Sequence, residues 1–386
     1  MASLYIHIPF CQKKCPYCDF YSIENPRGVE DFLGALLREI SSCGRVAPFG
    51  ESVAKEPIET IFFGGGTPSV LSPSQLERIL AGLHAAFRVL PDAEITLEAN
   101  PGRVDCDNLR GYRALGVNRL SLGIQSFNEK ELEFLGRIHG AAESGAAIEE
   151  ARAAGFENLS LDLIYALPGQ TRREWEATLR AALEYSPEHI SAYSLIVEEG
   201  TPLARMVGAG LVTPSPLETE AALFEAAMEI LTGAGYEHYE VSNYARPGRR
   251  CRHNLAYWSH GNYLGFGPSA HSFWHAADWQ RARRWWNIAN VRTYAERLRE
   301  GKPAVASGED LEAAALINER IFLGLRSDGL RMKGVEEDFR FVFQARQRDL
   351  VRALREEGLA VLEEGTLRLT SRGYLLCDEI GERFFL

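Results

Sequence analysis

The stretch Cys11-Gln12-Lys13-Lys14-Cys15-Pro16-Tyr17-Cys18, delivered by Tyr5-Ile6-His7-Ile8-Pro9-Phe10, decides how the rest of the chain is read. It spaces three thiols as Cys-x3-Cys-x2-Cys, while the other four cysteines, Cys43, Cys106, Cys251 and Cys377, are scattered. A structural zinc site closes with four ligands, and disulfides need pairs. A [4Fe–4S] cluster held by three thiolates instead leaves one iron open to something that is not protein. The competing reading is half of a zinc ribbon completed by a distant cysteine or histidine. No second Cys-x2-Cys is present to support it.

Working outward, the apolar run before the thiols reads as a strand, Leu4–Ile8, that feeds the cysteine loop. Further strands are expected at Ile58–Phe63, Glu94–Leu97, Arg119–Ile124, Leu159–Ile164 and His189–Leu195. Helical periodicity lies between them, at Val29–Ser42, Ser74–Arg88, Ala141–Ala154 and Arg172–Tyr185. Six β–α steps predict an α/β fold with a parallel sheet and right-handed crossovers. Ligands of such sheets gather at the C-terminal strand ends. Periodicity does not say whether the sheet closes.

Past residue 200 a helix is expected at Pro216–Gly233 and a strand at Tyr236–Val241. Residues 243–290 read as irregular and hold five of the six tryptophans, the exception being Trp175. From Leu311 the order is helix (Glu312–Leu325), an Arg/Lys-bearing turn, helix (Gln344–Glu357), hairpin (Leu359–Leu362 with Leu367–Leu369) and a last helix. That order predicts a small winged-helix-like α+β module, read as docking or capping rather than DNA-binding because it is not strongly basic. Three units are expected: residues 1–200, 201–310 and 311–386.

Composition bounds the function. The 386 residues are 46% hydrophobic and 25% charged, with a net charge of −11. That balance suits cored, soluble domains and argues against general nucleic-acid binding. The start MASLYIHIPF predicts no signal peptide, and no run of about 18 apolar residues predicts a membrane span. Seven cysteines, three of them clustered, fit a reducing compartment, so a cytoplasmic location is expected.

Polar residues stand at the strand ends. Phe63-Gly64-Gly65-Gly66-Thr67-Pro68 lets backbone approach a ligand closely. Glu98 ends the third strand and Gln125 the fourth. Asp162 lies inside the apolar run Leu159-Ser160-Leu161-Asp162-Leu163-Ile164, where a carboxylate needs a partner. Arg137 is a candidate for that partner, or for a ligand carboxylate. Each feature alone is commonly structural. Their joint placement behind a cysteine loop is not explained that way.

These motifs, with Leu97-Glu98-Ala99-Asn100-Pro101 and Leu159 through Gln170-Thr171, resemble the radical S-adenosylmethionine superfamily and its coproporphyrinogen dehydrogenase-like branch. The resemblance spans almost the whole chain. It implies an open (β/α)6 partial barrel with a smaller C-terminal domain. It implies that Cys11, Cys15 and Cys18 hold a [4Fe–4S] cluster whose open iron takes S-adenosylmethionine. Tyr5, Tyr17, Gly65, Gly66, Thr67, Glu98, Gln125, Arg137 and Asp162 match cofactor-contacting positions. The cofactor would carry the radical chemistry, and the protein would orient it.

Within this branch stand an enzyme and a carrier. The dehydrogenase pattern adds a cysteine two residues past the third ligand, where this chain has Phe20, and a long N-terminal extension, where only ten residues precede Cys11. Both differences favour the carrier, and so does His253-Asn254-Leu255-Ala256-Tyr257-Trp258, which resembles the His-Asn-x-x-Tyr-Trp signature of the HemW branch of heme chaperones. The implied function is to bind heme and pass it to respiratory acceptor proteins at the membrane surface. Turnover as a coproporphyrinogen III dehydrogenase is the alternative and is not expected, and cleavage of S-adenosylmethionine stays open in principle. His253, Asn254, Tyr257 and Trp258 are the heme-binding candidates, since imidazole ligates iron and Tyr and Trp offer flat faces. Arg249, Arg250 and Arg252 are candidates for the propionates, His271 is a second candidate iron ligand, and a homodimer is plausible from the family. His7 is expected to be a satisfied structural histidine, and Cys43, Cys106 and Cys377 inert thiols.

Overall fold

The computed structural model describes residues 1–24, 26–46, 52–102 and 105–386. Six strands, β1 (Ala2–Ile8), β2 (Ile58–Gly65), β3 (Val89–Ala99), β4 (Arg119–Gln125), β5 (Leu159–Tyr165) and β6 (His189–Ser194), lie parallel and in chain order. Strands buried on both faces usually read as continuous apolar runs. These alternate instead. Leu4, Ile6, Ile8, Ile61, Phe63, Leu97, Leu120 and Leu161 pack outward, in one core with Phe32, Leu36, Leu76 and Ile79 of the crossover helices Val29–Val46 and Pro73–Ala86. The inward face carries Tyr5, Thr60, Glu98, Ser121, Asp162 and Ser191. Register sets Glu98 beside Ser121 and Asp162 beside Ser191. The strands therefore curl around a polar well rather than an apolar plug.

The order is linear, so the barrel is open, as the resemblance implies, and the sheet runs on past both edges. Beyond β6 come β8 (Asn243–Ala245) and β7 (Glu237–Glu240), both antiparallel. Beyond β1 come β9 (Asn262–Phe266), parallel to it, then β10 (His271–His275), β11 (Arg281–Asn287) and β12 (Val305–Glu312). This corrects the expectation that residues 243–290 are irregular. The segment supplies four strands and the helix Arg252–Trp258. Its alternation was hidden because Arg and Trp occupy both faces of β11, with Ala282 and Trp285 buried and Arg283 and Trp286 half-buried.

The C-terminal module has its own core, with Leu316, Ile321, Leu325, Leu354, Leu367 and Phe384. Its helices Ala313–Leu325, Ala345–Glu356 and Cys377–Phe384 match the expected order. The expected Arg/Lys-bearing turn is instead β13 (Leu330–Arg331) and the helix Met332–Phe339. The wing, β14 (Ala360–Glu363) and β15 (Thr366–Leu369), turns through Glu364 and Gly365, both at positive φ as a two-residue hairpin requires.

Candidate functional site at the barrel mouth

The cysteine loop leaves β1 and is pinned at its base. Cys11 N–H donates to Ile23 O (2.9 Å), and Ile23 N–H to Pro9 O (2.8 Å). The glycine segment after β2 grips the same loop through Gly66 N–H to Ile8 O and Thr67 N–H to Phe10 O, both 2.8 Å. A Cβ on Gly66 would stand 2.6 Å from Phe10 O and 2.9 Å from Ile8 O, so only glycine allows this approach. Gly65, at φ +109°, has the His7 ring at 2.6 Å from where its Cβ would be, and its N–H donates to Glu98 Oε2 (3.2 Å).

All three thiols open into one cavity of about 540 Å³. Thr67 Oγ1 donates to Cys11 Sγ (3.7 Å) and Arg137 Nη1 to Cys15 Sγ (3.5 Å). Burial pushes the Cys18 thiol up to about 11. Among the described residues no three His, Cys, Asp or Glu side chains converge on a point that would hold a single metal ion. Three sulfurs spread round one cavity, with a glycine backbone and a carboxylate beside them, fit a cluster, which distributes its thiolates over separate irons. Tyr5, Tyr17, Gly65, Gly66, Thr67, Glu98, Gln125, Arg137 and Asp162 line the same cavity. Glu98 is pushed up to about 8, mainly by burial and then by the Asp162 charge. Gln125 reaches the cavity from a left-handed backbone (φ +66°) at a register shift between β4 and β5.

Arg137 is not the partner of Asp162. It donates to Gly123 O (2.8 Å) and to Asn100 Oδ1, bracing the loop around Cys15. Asp162 accepts from Ser121 (2.9 Å) and Ser160 (3.1 Å), and burial raises its pKa. The nearby buried cation is Arg119, 1% exposed at the start of β4. Sequence reasoning passed over it. Like Asp162, Arg119 is a charge inside an alternating apolar strand, which is the signal that marks it. His7 is satisfied, with Nε2 bonded to Tyr21 O (2.8 Å) and Nδ1 to Tyr5 OH (3.3 Å).

The helix Arg252–Trp258 forms the floor of the well. Its N-terminus is capped from β3: the Glu94 carboxylate accepts from Arg252 N–H and His253 N–H, both at 3.1 Å, and from Cys251 Sγ at 3.5 Å. Spacing of four residues puts His253 and Tyr257 on one helix face. With Asn254 they line the cluster cavity. His253 is 1% exposed, and both its nitrogens are engaged: Nδ1 with Thr60 Oγ1 (2.7 Å), Nε2 with Tyr257 OH (3.0 Å). Its ring stacks on Phe62 at 4.9 Å. Burial, then the Arg119 charge, pushes its pKa down to about 3.

Trp258 lies roughly 100° further round the helix and lines a different cleft. The four candidate heme residues are thus divided between two faces. Of the candidate propionate partners, Arg250 is held by Glu237 (2.8 Å) and Asp328 (2.7 Å), and Arg252 by Asp92 O (2.7 Å) and Glu59 (3.7 Å), while Arg249 is exposed. His271 sits away from the well, stacked on Trp286 at 5.6 Å. Cys43 and Cys106 are half-buried and Cys377 buried.

Comparison with known proteins agrees with this architecture. Residues 5–182 match the Radical SAM superfamily and residues 311–376 the HemN C-terminal domain. The chain is 36% identical over 384 residues to the heme chaperone HemW of Bacillus subtilis, covering 98% of each chain. It is 43% identical over 274 residues to HemW of Escherichia coli, covering 70% of this chain and 69% of that one. The solved structure of the radical SAM coproporphyrinogen III oxidase HemN from Escherichia coli superposes with a TM-score of 0.83 at 27% identity, covering 99% of this chain and 89% of that one. The chain belongs to the radical SAM superfamily and, within it, to the family of the HemW heme chaperones.

Proposed function

We propose that this protein is a heme chaperone: it binds heme as cargo and passes it to acceptor proteins. The observation that carries this reading is the likeness to HemW chaperones along 98% of the chain, C-terminal module included. The exposed Phe20 supports it, standing at the rim where the dehydrogenase pattern has a further cysteine.

Cys11, Cys15 and Cys18 would hold a [4Fe–4S] cluster, and the Gly65–Thr67 backbone, Tyr5, Tyr17, Glu98, Gln125, Arg137 and Asp162 would hold S-adenosylmethionine. When bound, this pair supplies one-electron chemistry that the side chains cannot. The chain's own contribution is placement. The Gly66 and Thr67 hydrogen bonds fix the thiol loop against β2, Arg137 braces Cys15, and the floor helix closes the well from below. Of the signature residues, His253, Asn254 and Tyr257 build that floor, and Trp258 turns an aromatic face away from it. The acceptors are respiratory proteins reached at the membrane surface from the cytoplasm, and a homodimer joins the proposal from the family. No helix among the described residues is long and apolar enough to cross a membrane.

The test is anaerobic. Protein reconstituted with iron and sulfide is given S-adenosylmethionine, a reductant and either heme or coproporphyrinogen III. Heme retained through gel filtration, with no protoporphyrinogen formed, is the expected result. Decarboxylation over many turnovers would replace the chaperone reading with the dehydrogenase one.

A further inference from the structure

On the outer side of the floor helix, a second cleft of about 480 Å³ lies between that helix, the starts of β1 and β2, and the C-terminal module. Its volume is that of a site for a sizeable organic ligand. Trp258 and Leu255 give it an apolar wall, and Gly261 and Gly329 leave room for a flat body.

Its charges are out of balance. The cleft's carboxylates are already paired, Glu59 with Arg252 inside the cleft and Asp328 with Arg250 outside it. Two further arginines face the cleft, Arg320 from the helix Ala313–Leu325 and Arg331 from β13. Arg320 Nη1 is buried with no hydrogen-bond partner among the described residues. Burial lowers the Arg320 pKa and the Arg331 charge lowers it further, against the pull of Asp338. A buried guanidinium nitrogen without a hydrogen-bond acceptor is costly. The planar fork of arginine suits a carboxylate bound through two parallel hydrogen bonds.

We propose that this cleft, not the barrel well, seats the edge of the heme cargo, with its two propionate carboxylates on Arg320 and Arg331 and its ring against Trp258. The inference rests on the chaperone reading and gives it a site. It also explains how one chain holds cofactor and cargo together, since the floor helix stands between them.

The test is a titration of the purified full-length protein with heme and with heme dimethyl ester, in which the propionates are neutral, read by quenching of tryptophan fluorescence. The wild type should bind heme roughly tenfold or more tightly than the ester. R320Q and R331A should lose that preference while keeping the iron content of reconstituted protein. Should R320Q fail to fold by circular dichroism, R331A, altered at an exposed residue, carries the test alone. Variants that still prefer heme to its ester as the wild type does overturn the site. A wild type that binds neither ligand overturns the chaperone reading instead.

Discussion

The two faces of the helix Arg252–Trp258 are chemically opposite. On the inner face His253 is bonded through both nitrogens, and the Glu94 carboxylate takes the helix N-terminus and Cys251. On the outer face Arg320 keeps a buried nitrogen without one. The contrast separates construction from function. Satisfied buried polar groups hold a shape, and unsatisfied ones mark where a ligand completes the structure. By that criterion His253 is held by the fold as it stands, while Arg320 is the group that a ligand would complete.

The comparison breaks most sharply at the thiols. Changing Cys15 to Ala should abolish iron retention after anaerobic reconstitution, with little change in melting temperature, because Cys15 faces a cavity and not the core. Retained iron would show that this thiol is not a ligand. Next in size is Glu94→Ala, which uncaps the floor helix and leaves Arg119 buried beside no carboxylate at that point. About 3 kcal/mol of stability should be lost in urea unfolding, and a loss below about 1 kcal/mol would mean the cap is ornamental. Gly66→Ala forces a methyl against two carbonyl oxygens and should cost about 2 kcal/mol while loosening the cysteine loop. An undisturbed loop in that variant would refute the close-approach argument.

The smallest effect is in pH. His253 is held neutral in the fold at about 3, below its unfolded value, so its contribution is present above pH ~6.5 and is lost as the pH falls towards 3. Glu39 and Glu240, pushed up to about 7 chiefly by burial, act in the opposite sense: their contribution is full below pH ~4.5 and is lost as the pH rises through 7. Between 4.5 and 6.5 the two groups partly cancel. The clean readout is therefore a difference. The stability gap between wild type and His253→Asn should narrow as the pH drops from 6.5 to 5. Parallel curves would show that His253 is not neutral in the fold.

Much of this was legible in the chain. The six parallel strands followed from short β-rich runs that alternate with helical periodicity, and Asp162 announced itself as a charge inside one of them. The thiol spacing set three candidate ligands apart from the other cysteines, and the fold brings their sulfurs to one cavity. What stayed hidden is long-range. Nothing in Arg119-Leu120-Ser121 or in Cys251-Arg252-His253 shows that Glu94, some 25 and 157 positions away, answers them. Likewise Arg320 and Arg331 read as ordinary helix and turn charges until the C-terminal module docks them beside Trp258. The strands of residues 243–290 were masked because long arginine stems and tryptophan rings are at home on either face of a sheet.

Cofactor and cargo are proposed to occupy separate sites on either side of one helix. The direct measurement is a heme titration of anaerobically reconstituted protein already loaded with radiolabelled S-adenosylmethionine. Heme should bind with the same affinity whether or not S-adenosylmethionine is present, and no label should be released. Release of the label in step with heme binding would contradict the claim, placing both molecules in the barrel well.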